Sequence, residues 1–186
     1  YYKIRKETIE GKAMNNVWFL TEEKPKLSVI KQILQIYKED FGVNYSCEEV
    51  ITILPIIRGN VFTFTYRVDG ITVDGIENVF VKTVSGGSSF LDFLFFVQEE
   101  APVEGAENNL VFAVEETKTS DDESRNTGVY QRCSKFVYIK AFYPDIPLYM
   151  LYNDELELRE DKKPSDTSIL GTNMLLTNNV KISGKP

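Results

Sequence analysis

The chain has no histidine among its 186 residues. That absence excludes from this sequence every mechanism needing an imidazole: Ser-His-Asp and Cys-His nucleophiles, histidine-based zinc sites and zinc-deaminase chemistry. An enzyme written in these residues has to run on carboxylates, lysine, tyrosine, serine or a metal ion. Cysteine is nearly as scarce. Cys47 and Cys133 lack the spacing of metal ligands, and two lone cysteines read as reduced thiols of a cytosolic protein rather than as a disulfide framework. Long apolar runs are missing too. None approaches the roughly 20 residues of a membrane-spanning helix, and Tyr1–Lys6 is charged, so neither a membrane anchor nor a signal peptide is expected. Positive charge is in deficit: the net charge is −7. This argues against a globally basic nucleic-acid coat but leaves room for a local basic face. An acidic chain acting on nucleic acid would need divalent cations to bring its carboxylates near phosphate.

What is present points to one mixed domain. The mass of 21.3 kDa allows one substantial core and not two comfortable ones. An apolar fraction of 42% is ordinary, and 12 Phe with 10 Tyr favour strands over bundled helices. Val29, Ile30, Ile33, Leu34 and Tyr37 recur at helical steps, which predicts a helix over about 28–41 with Ser28 as N-cap and Gly42 as its end. Ile51–Ile57 is β-branched but holds Pro55, the mark of an edge strand or a strand end. Val61–Val68 alternates with period two, Asp69-Gly70 reads as a hairpin turn, and Asp74-Gly75 as a second. A further strand over about 78–84 completes an antiparallel meander, and Ser85–Ser88 reads as a turn rather than a phosphate loop.

Two more strands carry the chemistry. Phe90–Val97 is apolar apart from Asp92, and Leu110–Lys118 begins apolar and ends charged. A lone carboxylate in an apolar strand costs several kcal/mol or shifts its pKa, so its position needs a reason. Alternation puts Glu116 and Lys118 on one face of their strand, with Glu115 and Thr117 on the other. If the two strands pair, Asp92 and Glu116 can converge on one ion with Lys118 beside it. Two carboxylates plus waters suit Mg2+. Beyond an acidic loop at 120–126, residues 127–142 are a helical candidate with Val129, Phe136, Val137 and Ala141 buried and Pro144 closing it. Leu148–Tyr152 is a last core strand, and 153–186, poor in apolar residues, reads as a C-terminal arm or tail. Residues 1–152 are thus the expected domain.

At Asp92 and Glu116-Thr117-Lys118 the chain resembles the PD-(D/E)xK nuclease superfamily. The Asp on a strand, the hairpin-scale gap and the ExK half match; Leu91 stands where the family has Pro. The resemblance implies a restriction-endonuclease-like core over about 88–152, with a central mixed β-sheet flanked by helices (mixed α+β, α/β in the broad sense). It also implies an Mg2+-dependent DNA endonuclease of the type II restriction kind. Asp92 and Glu116 would hold the metal with the Thr117 carbonyl, and Lys118 would position the attacking water. Residues 127–135 are similar to the Asn-Ala-x-Glu-Arg-x-x-Lys stretch of the EcoRI and MunI restriction enzymes. Arg132 and Lys135 match, and Gln131 replaces Glu. Gln131, Arg132 and Lys135, with Arg125 in the preceding loop, are the implied contacts to double-stranded DNA. A homodimer and an intracellular setting, prokaryotic or phage, go with that resemblance. A reading from another class is a non-catalytic α/β module binding a protein partner in a larger assembly.

Overall fold

A computed structural model of the chain describes residues 14–84, 91–117, 132–141, 143–152 and 166–184. Its strands are β1 (Asn16–Thr21), β2 (Tyr45–Arg58), β3 (Val61–Val73), β4 (Val79–Thr83), β5 (Phe93–Gln98), β6 (Leu110–Thr117), β7 (Leu148–Tyr152) and β8 (Val180–Ser183). The helices are α1 (Leu27–Phe41), α2 (132–141) and α3 (Asp166–Thr177). All eight strands form one mixed sheet in the order β2-β3-β4-β1-β5-β6-β7-β8. β1 runs parallel to β4, β6 to β7 and β7 to β8, while the remaining neighbours are antiparallel. The architecture is therefore mixed α+β. No described helix is long and apolar enough to cross a membrane.

The sheet has a core on each face. Under α1, Phe19, Phe95 and Phe112 lie side by side across β1, β5 and β6. Phe95 stacks on Phe112 with centroids 4.5 Å apart, and Tyr149 of β7 meets Phe112 edge-on at 5.3 Å. Ile30, Ile33, Leu34 and Tyr37 of α1 close over this row. Each fully buried ring contributes roughly 1.5–3 kcal/mol by leaving water, which makes this row the main anchor of the sheet's centre. On the opposite face Leu91, Ala113, Leu148 and Met150 pack with Cys133 and Phe136 of α2 and Leu175 of α3.

Several expected elements differ in detail. α1 begins one residue early: Lys26 is its N-cap and supplies no side-chain cap, while the Ser28 hydroxyl is buried inside the first turn. Gly42 ends the helix in the left-handed conformation, its N–H donating to the Lys38 carbonyl at 3.1 Å. β2 is an edge strand, as Pro55 requires. Asp69-Gly70 is not the hairpin turn, which falls at Gly59-Asn60. Gly70 instead sits inside β3 at φ +88°, where the pairing with β2 shifts register. A Cβ there would lie 2.5 Å from the Val50 carbonyl oxygen, so glycine serves a bulge and a close backbone approach. In α2, Phe136 is buried as expected, but Val137 and Ala141 face solvent and Cys133 takes the inward place. The C-terminal segment is not simply a tail: α3 packs on the second core, and β8 extends the sheet from β7.

Candidate functional site

β5 and β6 pair in the register Phe93↔Val114 and Leu94↔Ala113. That register, continued one step past β5, carries Asp92 to Glu115, and a hydrogen bond from the Asp92 N–H to Glu115 Oε2 joins them there. Alternation then assigns faces. Glu115 shares its face with Ala113 and, across β7, with Met150, the side of α2 and α3. Glu116 shares the α1 face with Val114 and Leu151. The carboxylate beside Asp92 is thus that of Glu115, and Glu116 joins Asp92 through its backbone.

Two hydrogen bonds tie Asp92 to the end of β6, one to the side chain of Glu115 and one from the backbone of Glu116. The Asp92 N–H donates to Glu115 Oε2 at 3.2 Å, and the Glu116 N–H donates to Asp92 Oδ2 at 2.8 Å. Asp92 occupies the bend just before β5 rather than the strand interior. α2 then delivers two cations from one face of its helix, three residues apart. Arg132 Nε donates to Glu115 Oε1 at 3.1 Å, and Lys135 Nζ donates to the same oxygen at 2.7 Å. The Glu115 side chain is 1% exposed and that of Lys135 43%, so the cluster opens to water on the lysine side.

The electrostatics are contested at Glu115. Burial, and after it the charge of Asp92, raise its pKa above the ordinary glutamate value. The hydrogen bond and charge of Lys135, and then the charge of Arg132, pull it down without prevailing. A carboxylate that stays hard to ionise with two cations in contact marks a strongly desolvated position.

The expected site residues fall into three groups. Asp92 and Glu116 meet at the junction of β5 and β6 through the Glu116 N–H, and Thr117 ends β6, buried on Glu115's side of the strand. Arg132 and Lys135 reach the same junction but point at Glu115. Lys118, Arg125 and Gln131 lie outside the described residues. Glu115 is the member that alternation alone did not select. Pairing the two phenylalanine-centred apolar runs at Phe95 and Phe112 would have found it, because that alignment carries Asp92 to Glu115.

Comparisons with known protein families, curated proteins and solved structures found no match. The site therefore stands on its own chemistry. Among the described residues no group of three or more Cys, Asp or Glu side chains gathers as a ready metal cage. The Asp92–Glu115 pair is nonetheless of the right donor type for Mg2+, which takes one or two protein carboxylates and keeps several waters. In donor chemistry the residues fit that ion.

A second polar cluster lies on the α1 face, beside a shallow cavity of about 210 Å³. Asp40 Oδ2 accepts from Tyr149 Oη at 2.5 Å and from Lys181 Nζ at 2.6 Å. The hydrogen bonds from Lys181 and then Tyr149 hold the Asp40 carboxyl below the usual aspartate range. Burial, followed by Asp40 itself, pushes the Tyr149 hydroxyl up. These three residues tie α1 to β7 and β8.

Proposed function

We propose that the protein is an Mg2+-dependent endonuclease that hydrolyses phosphodiester bonds in double-stranded DNA, with a restriction-endonuclease-like core. The observation that carries this reading is the Asp92–Glu115 pair at the junction of β5 and β6, with Glu115 buried and Asp92 half-buried, Asp92 tied to the Glu115 carboxylate and to the Glu116 N–H, and Arg132 and Lys135 facing Glu115. The surrounding order of elements supports it: antiparallel β5 and β6, then α2, then β7 parallel to β6. That is the strand–strand–helix–strand sequence which the ExK resemblance calls for.

In this reading Asp92 and Glu115 hold the metal, with Glu116 fixing Asp92 through its N–H and the Thr117 carbonyl available at the end of β6. A bound Mg2+ would polarise the phosphate and acidify a water molecule. Lys118, two residues beyond Glu116, is assigned to orient that water. Arg132 and Lys135 offset negative charge where phosphate would approach, which moves their role from reading bases toward serving the carboxylates. Gln131 and Arg125 keep the proposed role of DNA contacts, and a homodimer remains part of the proposal because a palindromic site cut on both strands calls for two-fold symmetry.

The test is cleavage of mixed plasmid and phage DNA in Mg2+ by the wild type and by Asp92→Asn, Glu115→Gln, Glu116→Gln and Lys118→Ala. Discrete fragments are expected from the wild type, with losses of about a hundredfold or more for Asp92→Asn and Glu115→Gln, the scale of losing a group that stabilises transition-state charge. Glu116→Gln keeps its backbone donor and should lose less. If Glu116→Gln is inactive while Glu115→Gln cuts normally, the two glutamates exchange roles. No cleavage by folded wild type in Mg2+ or Mn2+ would sink the nuclease. One observation favours the protein-binding module as second reading: Val137, Tyr138, Ile169, Leu170 and Leu176 leave apolar surface exposed on α2 and α3.

A further inference from the structure

We infer that the Lys135 ammonium, with Arg132 beside it, occupies the place of positive charge at Glu115 and sets how tightly the carboxylate pair takes a divalent cation. The inference rests on the proposed reading that Asp92 and Glu115 are the metal-holding carboxylates. Both Glu115 oxygens already have partners. Oε1 accepts from Lys135 at 2.7 Å and from Arg132 at 3.1 Å, and Oε2 accepts from the Asp92 N–H at 3.2 Å. Two carboxylates and two cations leave this cluster without net charge, so an arriving metal ion meets little attraction and two like charges.

The two cations are not equally free to yield. Arg132 is 27% exposed and Lys135 43%. Lysine carries a strongly hydrated point charge on a flexible four-carbon stem, whereas the guanidinium is planar and gives a directed fork of donors. Lys135 is therefore the member that swings into water when a metal ion takes Glu115 Oε1, and Arg132 is the member that stays. Divalent metal and Lys135 compete for one oxygen atom. The cluster is a charge lock, closed by the chain's own Lys135 ammonium on Glu115 Oε1.

The experiment is calorimetric titration of the full chain with Mn2+ and Mg2+ at fixed ionic strength, which needs no DNA and no turnover. Lys135→Gln removes one charge next to the site and should bind Mn2+ about tenfold more tightly or better, the scale of one like charge at close range. Lys135→Arg keeps the charge and should stay near the wild type, and Arg132→Gln should move in the same direction as Lys135→Gln. Asp92→Asn should abolish binding in the wild-type and Lys135→Gln backgrounds alike. Equal or weaker binding by folded Lys135→Gln, while the wild type binds, would overturn the competition and leave the metal site standing. Tightening by Lys135→Arg equal to that by Lys135→Gln would also overturn it, because charge would not be the cause. Binding by neither the wild type nor any lysine variant would remove the metal reading itself.

Discussion

Glu115 and Asp40 are both carboxylates in contact with lysine, yet they respond to pH with opposite sign. The folded-state pKa of Glu115 is raised, so the native state holds this proton where the unfolded chain has released it. Its contribution to stability therefore erodes as pH rises from the ordinary glutamate range through the raised value. Asp40 is lowered, so its contribution is present above the ordinary aspartate range and is lost as pH falls through its depressed value. Urea midpoints against pH should show both limbs. Glu115→Gln is expected to flatten the upper limb, and Asp40→Asn the acid limb by about 0.5–1 kcal/mol, since Lys181 is largely exposed. A wild-type–Asp40→Asn difference that persists below the acid limb would contradict the Asp40 assignment. At this scale the sequence was partly legible. Asp92 stood out as a charge in an apolar run. Choosing between Glu115 and Glu116 required the strand register, which two adjacent glutamates cannot reveal by themselves.

Elements were legible where periodicity was strong and obscure where it was weak. α1 shows a clear apolar stripe, and its range was readable to a residue. β6 and β7 were readable because β7 is, and β6 opens with, a continuous apolar run buried on both faces. Asp69-Gly70 misled because a glycine beside an aspartate fits a turn and a bulge equally well, and only the approach of Val50 separates the two. Gly70→Ala should therefore destabilise the protein by about 1–3 kcal/mol through positive φ and the clash with a carbonyl. A chemical denaturation midpoint unchanged by this substitution would remove the bulge from β3. The segment 166–183 was obscure because α3 has apolar side chains around its circumference instead of a stripe. Its inward anchor is Leu175, 1% exposed, with Val180 beginning β8 below it. Leu175→Ala is expected to cost about 2–5 kcal/mol in urea unfolding, as for other fully buried leucines. A cost under about 0.5 kcal/mol, the range of ordinary surface substitutions, would mean that α3 is not docked.

For the whole molecule, the net charge of −7 sets the terms of any encounter with DNA. The proposed function implies that DNA retention in a gel shift depends on Mg2+, is lost on chelation, and weakens steeply with salt. Retention unaffected by chelation would place binding on a basic surface away from Asp92 and Glu115. The strand order has a separate consequence, for the time course of folding. β1, the first of the described strands, lies in the middle of the sheet: Val17 pairs with Val79 on one side and with Val97 on the other. Neither neighbour is local, so loop-closure entropy has to be met twice before β1 gains a partner on both edges. During synthesis the N-terminal half would present a bare, apolar strand edge until β5 emerges, and chains stalled before that point would be prone to pair with one another.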